Sequence, residues 1–221
     1  MAPRVYSRRR RDEAMAAMRE RITAAIAALH AEIGPSRTSY AMVARRADVA
    51  IPTVYKHFPT LGGMFAACIG HVSARIPALT SAVFAGADGA AERFARLVPA
   101  LFERHRLFAP WLRWSLHEAH LLPDMSVFLA RMRERHLRLI HEALAPEFGA
   151  RPPLAIAALI EALTAFEAWH TMTAANGLSS DEAADAVVGA IAAMIARAAG
   201  QDGIGGKRGK RRRRSRARVA V

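Results

Sequence analysis

The segment Thr38-Ser-Tyr-Ala-Met-Val-Ala-Arg-Arg-Ala-Asp-Val-Ala-Ile-Pro-Thr-Val-Tyr-Lys-His-Phe58 constrains the fold of this chain more than any other. A hydroxyl at Thr38 or Ser39 predicts the cap of a helix of about nine residues, with Met42, Val43 and Ala47 turned inward. Asp48-Val49-Ala50 reads as a three-residue turn in which Val49 is the apolar plug. Pro52 then stands where a first helical turn accepts proline, since that amide lacks an intrahelical partner anyway. In the second helix Val54 and Phe58 lie four apart and pack on the first, leaving Thr53, Lys56 and His57 outward and Tyr55 at the edge. Two short helices joined this way predict a helix-turn-helix, whose second helix is narrow enough to enter a DNA major groove.

The rest of the chain predicts helices and no strand. Met15, Met18, Ile22, Ala25, Ile26, Leu29 and Ile33 recur at three- and four-residue steps, giving a first helix from about Asp12 to Gly34-Pro35. Further helices are expected at about 62–76, 89–106, from Pro110, from Pro123, at about 153–175 and from Ser179, where Ser179-x-x-Glu182 is a capping box. The 153–175 stretch has only Glu161 and Glu167 as charges, which predicts burial on nearly every side. The expected fold is all-α with about nine helices.

Charge divides the chain in a different way. Residues 1–11 and 207–221 together hold fourteen Lys or Arg and no acid, against a net +13 for the whole, so residues 12–206 carry about −1. Basic blocks of this kind are usually solvated and bind polyanions, which predicts disordered arms at 1–11 and 201–221 that can grip phosphates. The single cysteine, Cys68, has no partner for an intramolecular disulfide and fits a reducing cytoplasm. No apolar run reaches the ~20 residues of a membrane span, and no signal peptide is expected.

With Thr38-Ser39, the short helix ending Arg45-Arg46-Ala47, the turn, and Thr53-Val-Tyr-Lys-His-Phe-Pro-Thr60, the chain resembles the TetR family of transcriptional regulators over about residues 13–70. The resemblance implies a three-helix DNA-binding domain at 12–70 and a larger helical ligand-binding and dimerisation domain at 71–200. It implies that Thr38 and Ser39 hold a phosphate, that Ile51, Pro52 and Thr53 approach bases, and that Tyr55, Lys56 and His57 touch backbone or base edges. It also implies a homodimer, formed through helices at about 153–175 and 180–199, on a palindromic operator in double-stranded DNA. Three positions depart from the family pattern: Asp48 replaces a turn glycine, Ala50 a capping serine, and Leu61 a lysine.

A regulator of this kind is expected to be a repressor released by a small-molecule effector. Phe108, Trp111, Trp114, Phe128, Met132, Phe166 and Trp169 are candidate pocket residues, with His117 and His170 among the polar groups that orient a ligand. No cofactor and no metal is expected. His117-x-x-His120 lacks the spacing of a two-histidine zinc helix, and no phosphate loop or nucleophile elbow occurs, so an enzyme is disfavoured. The other alternative is an architectural protein whose basic tails coat DNA without choosing sequence.

Overall fold

The computed structural model describes residues 3–216, with side chains over 8–200 apart from Leu116. It is helical throughout, with no strand among the described residues. In order the elements are α1 (Pro3–Ile33), α2 (Tyr40–Ala47), α3 (Ile51–His57), α4 (Leu61–Ser73), a 3₁₀ turn (Ser81–Phe84) and α5 (Ala90–Leu112). There follow α6 (Ser115–Glu118), α7 (Pro123–Phe148), α8 (Leu154–Thr164), α9 (Phe166–His170), a π-turn (Thr171–Ala175) and α10 (Ser180–Arg216). These elements form two compact units: unit 1 runs to Ala78 and adds Leu107–Arg133, and unit 2 comprises Leu79–Arg106 and everything from Glu134.

In unit 1, α1 packs against α2 and α4, and α2 against α3. Ile22, Ile26, Val43, Val54, Phe58 and Met64 are fully buried, so the apolar spacing of α1 to α3 does its expected work. Met15 is the exception: it is exposed, because the buried stripe of α1 begins only near Met18 and Ile22. The helix also starts at Pro3 rather than near Asp12, proline being tolerated in a first turn.

The unit containing the helix-turn-helix reaches further than residues 12–70. Residues 107–133, expected in the second domain, belong to it because they satisfy backbone groups of α1 and of the loop that follows. Trp111 Nε1 donates to the Ala27 carbonyl at 2.9 Å, and Trp114 Nε1 and Arg113 Nη2 both donate to that of Ala31. The buried Glu118 carboxylate accepts the Ser36 amide at 2.9 Å. It lies where a Cβ on Gly34 (φ +86°) would stand, so this turn requires glycine twice over. Pro110 falls near the end of α5 instead of opening a new helix.

In unit 2, Phe94, Leu97, Phe102, Ile140, Leu144, Ile160 and Ile191 are fully buried. Glu147 accepts the Ala90 amide through both oxygens at 2.9–3.0 Å, placing a carboxylate at the positive end of α5. The helix expected over 153–175 is broken. Ala165 is extended (ψ 156°), and the carbonyl of Thr164 is taken by His105 Nε2 at 3.0 Å while its hydroxyl lies 2.8 Å from His136 Nε2. Side-chain groups thus replace the helical partners that the break removes. Nor is α8 buried on nearly every side: Leu154 is 83% exposed and Leu159 54%.

The capping box forms as read, with Glu182 accepting from the Ser179 amide at 2.8 Å and Ser179 Oγ accepting from that of Glu182 at 3.2 Å. Helix α10 does not close near Gly200 but continues to Arg216, with no proline to stop it. No uninterrupted apolar run reaches the length of a membrane span in α10 either, since Asp185 and Arg197 interrupt it. Ser180–Gly200 nevertheless has a mean hydropathy of 1.5, long and apolar enough to cross a membrane by length and composition only, because alanines dominate between Asp185 and Arg197. In this fold that stretch packs on α8 and the π-turn. Residues 1, 2 and 217–221, and the side chains of Arg4 and of every base from Lys207 onward, lie outside the described residues.

Burial holds the imidazoles of His30 and His105 at about 4, well below the usual 6.5. Both are neutral in the folded chain between those values, whereas the unfolded chain takes up protons there. Stability is therefore complete above pH 6.5 and falls as pH drops through the window toward 4. The urea midpoint should hold steady from pH 8 to 7 and decline from 6.5 to about 5, before carboxylates begin to titrate; a flat midpoint there would contradict this account.

Candidate nucleic-acid interface

The helix-turn-helix is built from the cap outward. Ser39 is the N-cap of α2, its hydroxyl accepting from the Met42 amide at 3.3 Å. Thr38 is buried and its hydroxyl donates to the Gly34 carbonyl at 2.8 Å, so the structure withdraws it from the surface expected to hold a phosphate. Asp48 adopts the left-handed conformation (φ 51°, ψ 59°), as the turn demands, and its amide returns to the Ala44 and Arg45 carbonyls. The plug, Val49, is half-buried.

On α3, Val54 is fully buried, as is Phe58 just past its end, and the opposite side faces outward. Ile51, Pro52, Tyr55 and Lys56 are exposed, with Thr53 and His57 half-buried. These six expected contact residues share the outward side and N-terminal turn of one seven-residue helix, and Ser39 is exposed at the start of α2. The N-cap Ala50 offers no side-chain bond; the Thr53 amide donates to the Ala50 carbonyl at 2.9 Å instead, and Pro52 has no amide hydrogen to satisfy.

Two features of this surface were missed in the sequence. Tyr40 stacks on Tyr55 with ring centroids 3.8 Å apart and planes 12° from parallel, joining the first residue of α2 to the exposed edge of α3. The signal was present as two aromatics beginning and ending the motif, but without the crossing of α2 and α3 nothing paired them. Arg19 on α1 donates to the His57 carbonyl at 2.8 Å and lies 4.3 Å from the Phe58 ring centroid, and Arg21 donates to the Asp48 carbonyl at 3.3 Å. These two arginines position the motif from behind. Arg46, by contrast, is held in a two-pronged pair with Glu32 at 2.7–2.8 Å.

The candidate pocket residues separate into two groups. Phe108, Trp111 and Phe128 line a cavity within unit 1. Trp114 instead donates to α1, His117 is exposed, and Met132 is half-buried outside the cavity lining. In unit 2, Phe166, Trp169 and His170 cluster with His105, the Phe166 and His170 rings stacking at 5.5 Å. Among the described residues no three His, Cys, Asp or Glu side chains approach closely enough to hold a metal ion.

Residues 22–68, spanning α1 from Ile22 to Cys68 of α4, match the family model of the bacterial regulatory proteins of the tetR family. The N-terminal domain belongs to the tetR family. The fold of the chain is also that of solved regulators. A protein from Streptomyces coelicolor A3(2), described as a transcriptional regulator, aligns with a TM-score of 0.55 and 22% identity, over 77% of this chain and 95% of its own. A TetR-like transcriptional regulator from Rhodococcus sp. RHA1 aligns with a TM-score of 0.55 and 19% identity, over 81% of this chain and 96% of its own. No curated protein matches the sequence. The family match at residues 22–68 supports a DNA-binding transcriptional regulator.

The uncapped start of α3 gives a direct test of this local account. Ala50 already has cap geometry (φ −70°, ψ 145°), so Ala50→Ser should offer the Thr53 amide a hydroxyl acceptor beside the Ala50 carbonyl without moving the backbone. It should stabilise the chain by ~0.5–2 kcal/mol in urea unfolding; no gain would mean that the Ala50 carbonyl alone satisfies the Thr53 amide.

Proposed function

We propose that this chain is a homodimeric, sequence-specific repressor in the cytoplasm, which binds a palindromic operator and leaves it when a small molecule binds. The observation that carries the reading is the outward face of α3, where Ile51, Pro52, Thr53, Tyr55 and Lys56 stand together with the apolar side held inside. Thr53 and the residues before it lie at the helix end that enters a major groove, where side chains meet base edges. Ser39, Tyr55, Lys56 and His57 are then placed for backbone or edge contacts, and a cationic Lys56 adds phosphate neutralisation.

The proposal of a dimer draws on α8 and α10. Leu154 and Leu159 are exposed together with Ala155, Ala158 and Ala162, and α10 exposes Ala186, Ala190 and Ala193 at helical spacing. A large leucine side chain left in water forgoes about 1.5–3 kcal/mol of burial. Small residues beside it let a second helix approach closely, and a second copy of the same two helices offers the matching surface in a two-fold arrangement. A two-fold axis also accounts for two recognition helices reading two half-sites.

Selection of bound sequences from a random DNA pool should enrich an inverted repeat whose half-sites lie roughly one helical turn, ~34 Å, or a multiple of it, apart. Enrichment without symmetry would overturn the dimeric reading, and no enrichment would favour an architectural protein. Lys56→Ala should lower affinity similarly for all sequences and reduce the salt slope by about one.

The double variant Leu154→Arg/Leu159→Arg should sediment as a monomer and lose roughly 10²- to 10⁴-fold in operator affinity, the avidity of two linked half-site contacts. A variant that remains dimeric would place the interface elsewhere.

A further inference from the structure

A cavity of about 20 Å³ lies within unit 1, bounded by α1, α4, the last turn of α5, α6 and the first turns of α7. Phe65, Phe108, Trp111 and Phe128 supply aromatic walls, and Cys68 and Met125 add soft apolar surface. Ile69, Phe128 and Leu129 are only half-buried, so the side between α4 and α7 is the way in.

One polar group interrupts this lining. His30 is 2% exposed, and its Nδ1 has no hydrogen-bond partner. A buried polar nitrogen left unpaired costs about 1–3 kcal/mol, and native structures keep few of them. Other polar groups at the wall are engaged: Trp111 Nε1 donates to Ala27, and Ser115 Oγ to the Leu112 carbonyl at 2.6 Å. Burial keeps the His30 imidazole neutral, with a pKa of about 4, and pushes the Cys68 thiol up to about 12. The cavity therefore presents rings, sulfur and one unpaired nitrogen, and no charge.

We propose that this cavity binds a small neutral aromatic molecule bearing one hydroxyl group, its ring held among Phe65, Phe108, Trp111 and Phe128 and its hydroxyl at His30 Nδ1. Neutrality follows from the walls, since an unpaired charge buried there would cost far more than a polar group. An aromatic body makes offset and edge contacts with four rings. A hydroxyl both donates and accepts, so it satisfies Nδ1 in either imidazole tautomer. The present volume suits about one water; a ring enters as Met125 and Leu129 change rotamer, methionine being the most adaptable wall material. The site deepens the effector-controlled reading above and depends on it only for what binding does to DNA.

The test uses the full chain without DNA, titrated with p-cresol and with toluene, which share an outline and differ by the hydroxyl. Tryptophan fluorescence and the melting temperature should report p-cresol binding about tenfold tighter than toluene, as one hydrogen bond at an otherwise unpaired nitrogen predicts. His30→Leu should abolish that preference and retain toluene. Should that variant fail to fold, the ¹⁵N shift of His30 Nδ1 in the natural sequence must move with p-cresol and not with toluene. Equal binding of the two, no binding of either, an unmoved Nδ1, or a preference surviving in His30→Leu would overturn the site. Operator affinity measured with p-cresol separates the two readings: binding that leaves DNA affinity unchanged keeps the site and overturns effector release.

Discussion

Arg19 and Arg21 of α1 donate to the carbonyls of His57 and Asp48, the ends of the two segments that make the motif a helix-turn-helix. A seven-residue helix such as α3 is far too short to persist in water by itself. Its stability comes from Val54 and Phe58 buried on neighbours, and from Arg19, which reaches the last helical carbonyl and covers the Phe58 ring. The rest of unit 1 depends on α1 in turn. Its C-terminal carbonyls at Ala27 and Ala31 receive the indoles of Trp111 and Trp114. One helix thus orients the surface offered to DNA at one end and gathers 107–133 at the other.

What the sequence made legible was local. Ser39 as cap, Asp48 in the left-handed turn, Pro52 in the first turn of α3 and the capping box at Ser179 are decided within a few residues, and each appears as read. The face of α1 was legible from Ile22 onward but not at Met15, since periodicity says which side faces inward and not where the core ends. Thr38 and Ser39 looked equivalent; only the approach of the Gly34 carbonyl separates the buried hydroxyl from the capping one. The break at Ala165 was illegible because the groups that bond Thr164 there, His105 and His136, come from distant parts of the chain. The cavity is the same case: His30, Cys68, Phe108 and Phe128 share no spacing.

Apolar content left one question open, and the reason is informative. The 153–175 stretch reads as buried on nearly every side and as part of a homodimer; within one chain Leu154, Leu159, Ala155, Ala158 and Ala162 of α8 are exposed, while Ala157 and Ile160 are buried. A composition rule measures how much surface must leave water; it does not say whether the same chain or another copy covers it. Exposed leucines on α8 beside an alanine face on α10 are the argument for a second copy.

A ligand held at His30 can alter DNA binding only by the difference in its affinity for two arrangements of the protein, and DNA must then weaken ligand binding by the same factor. His30 and Arg19 lie on one continuous helix, eleven residues or ~16 Å apart along its axis. A rigid helix carries displacement rather than damping it, so a ring that widens the cavity pushes on the element whose arginines seat the turn and the end of α3. The neutral body of the chain favours this economy. With about −1 between residues 12 and 206, that region contributes little unspecific attraction, and small shifts in the placement of α3 make a large fraction of what it gains from DNA.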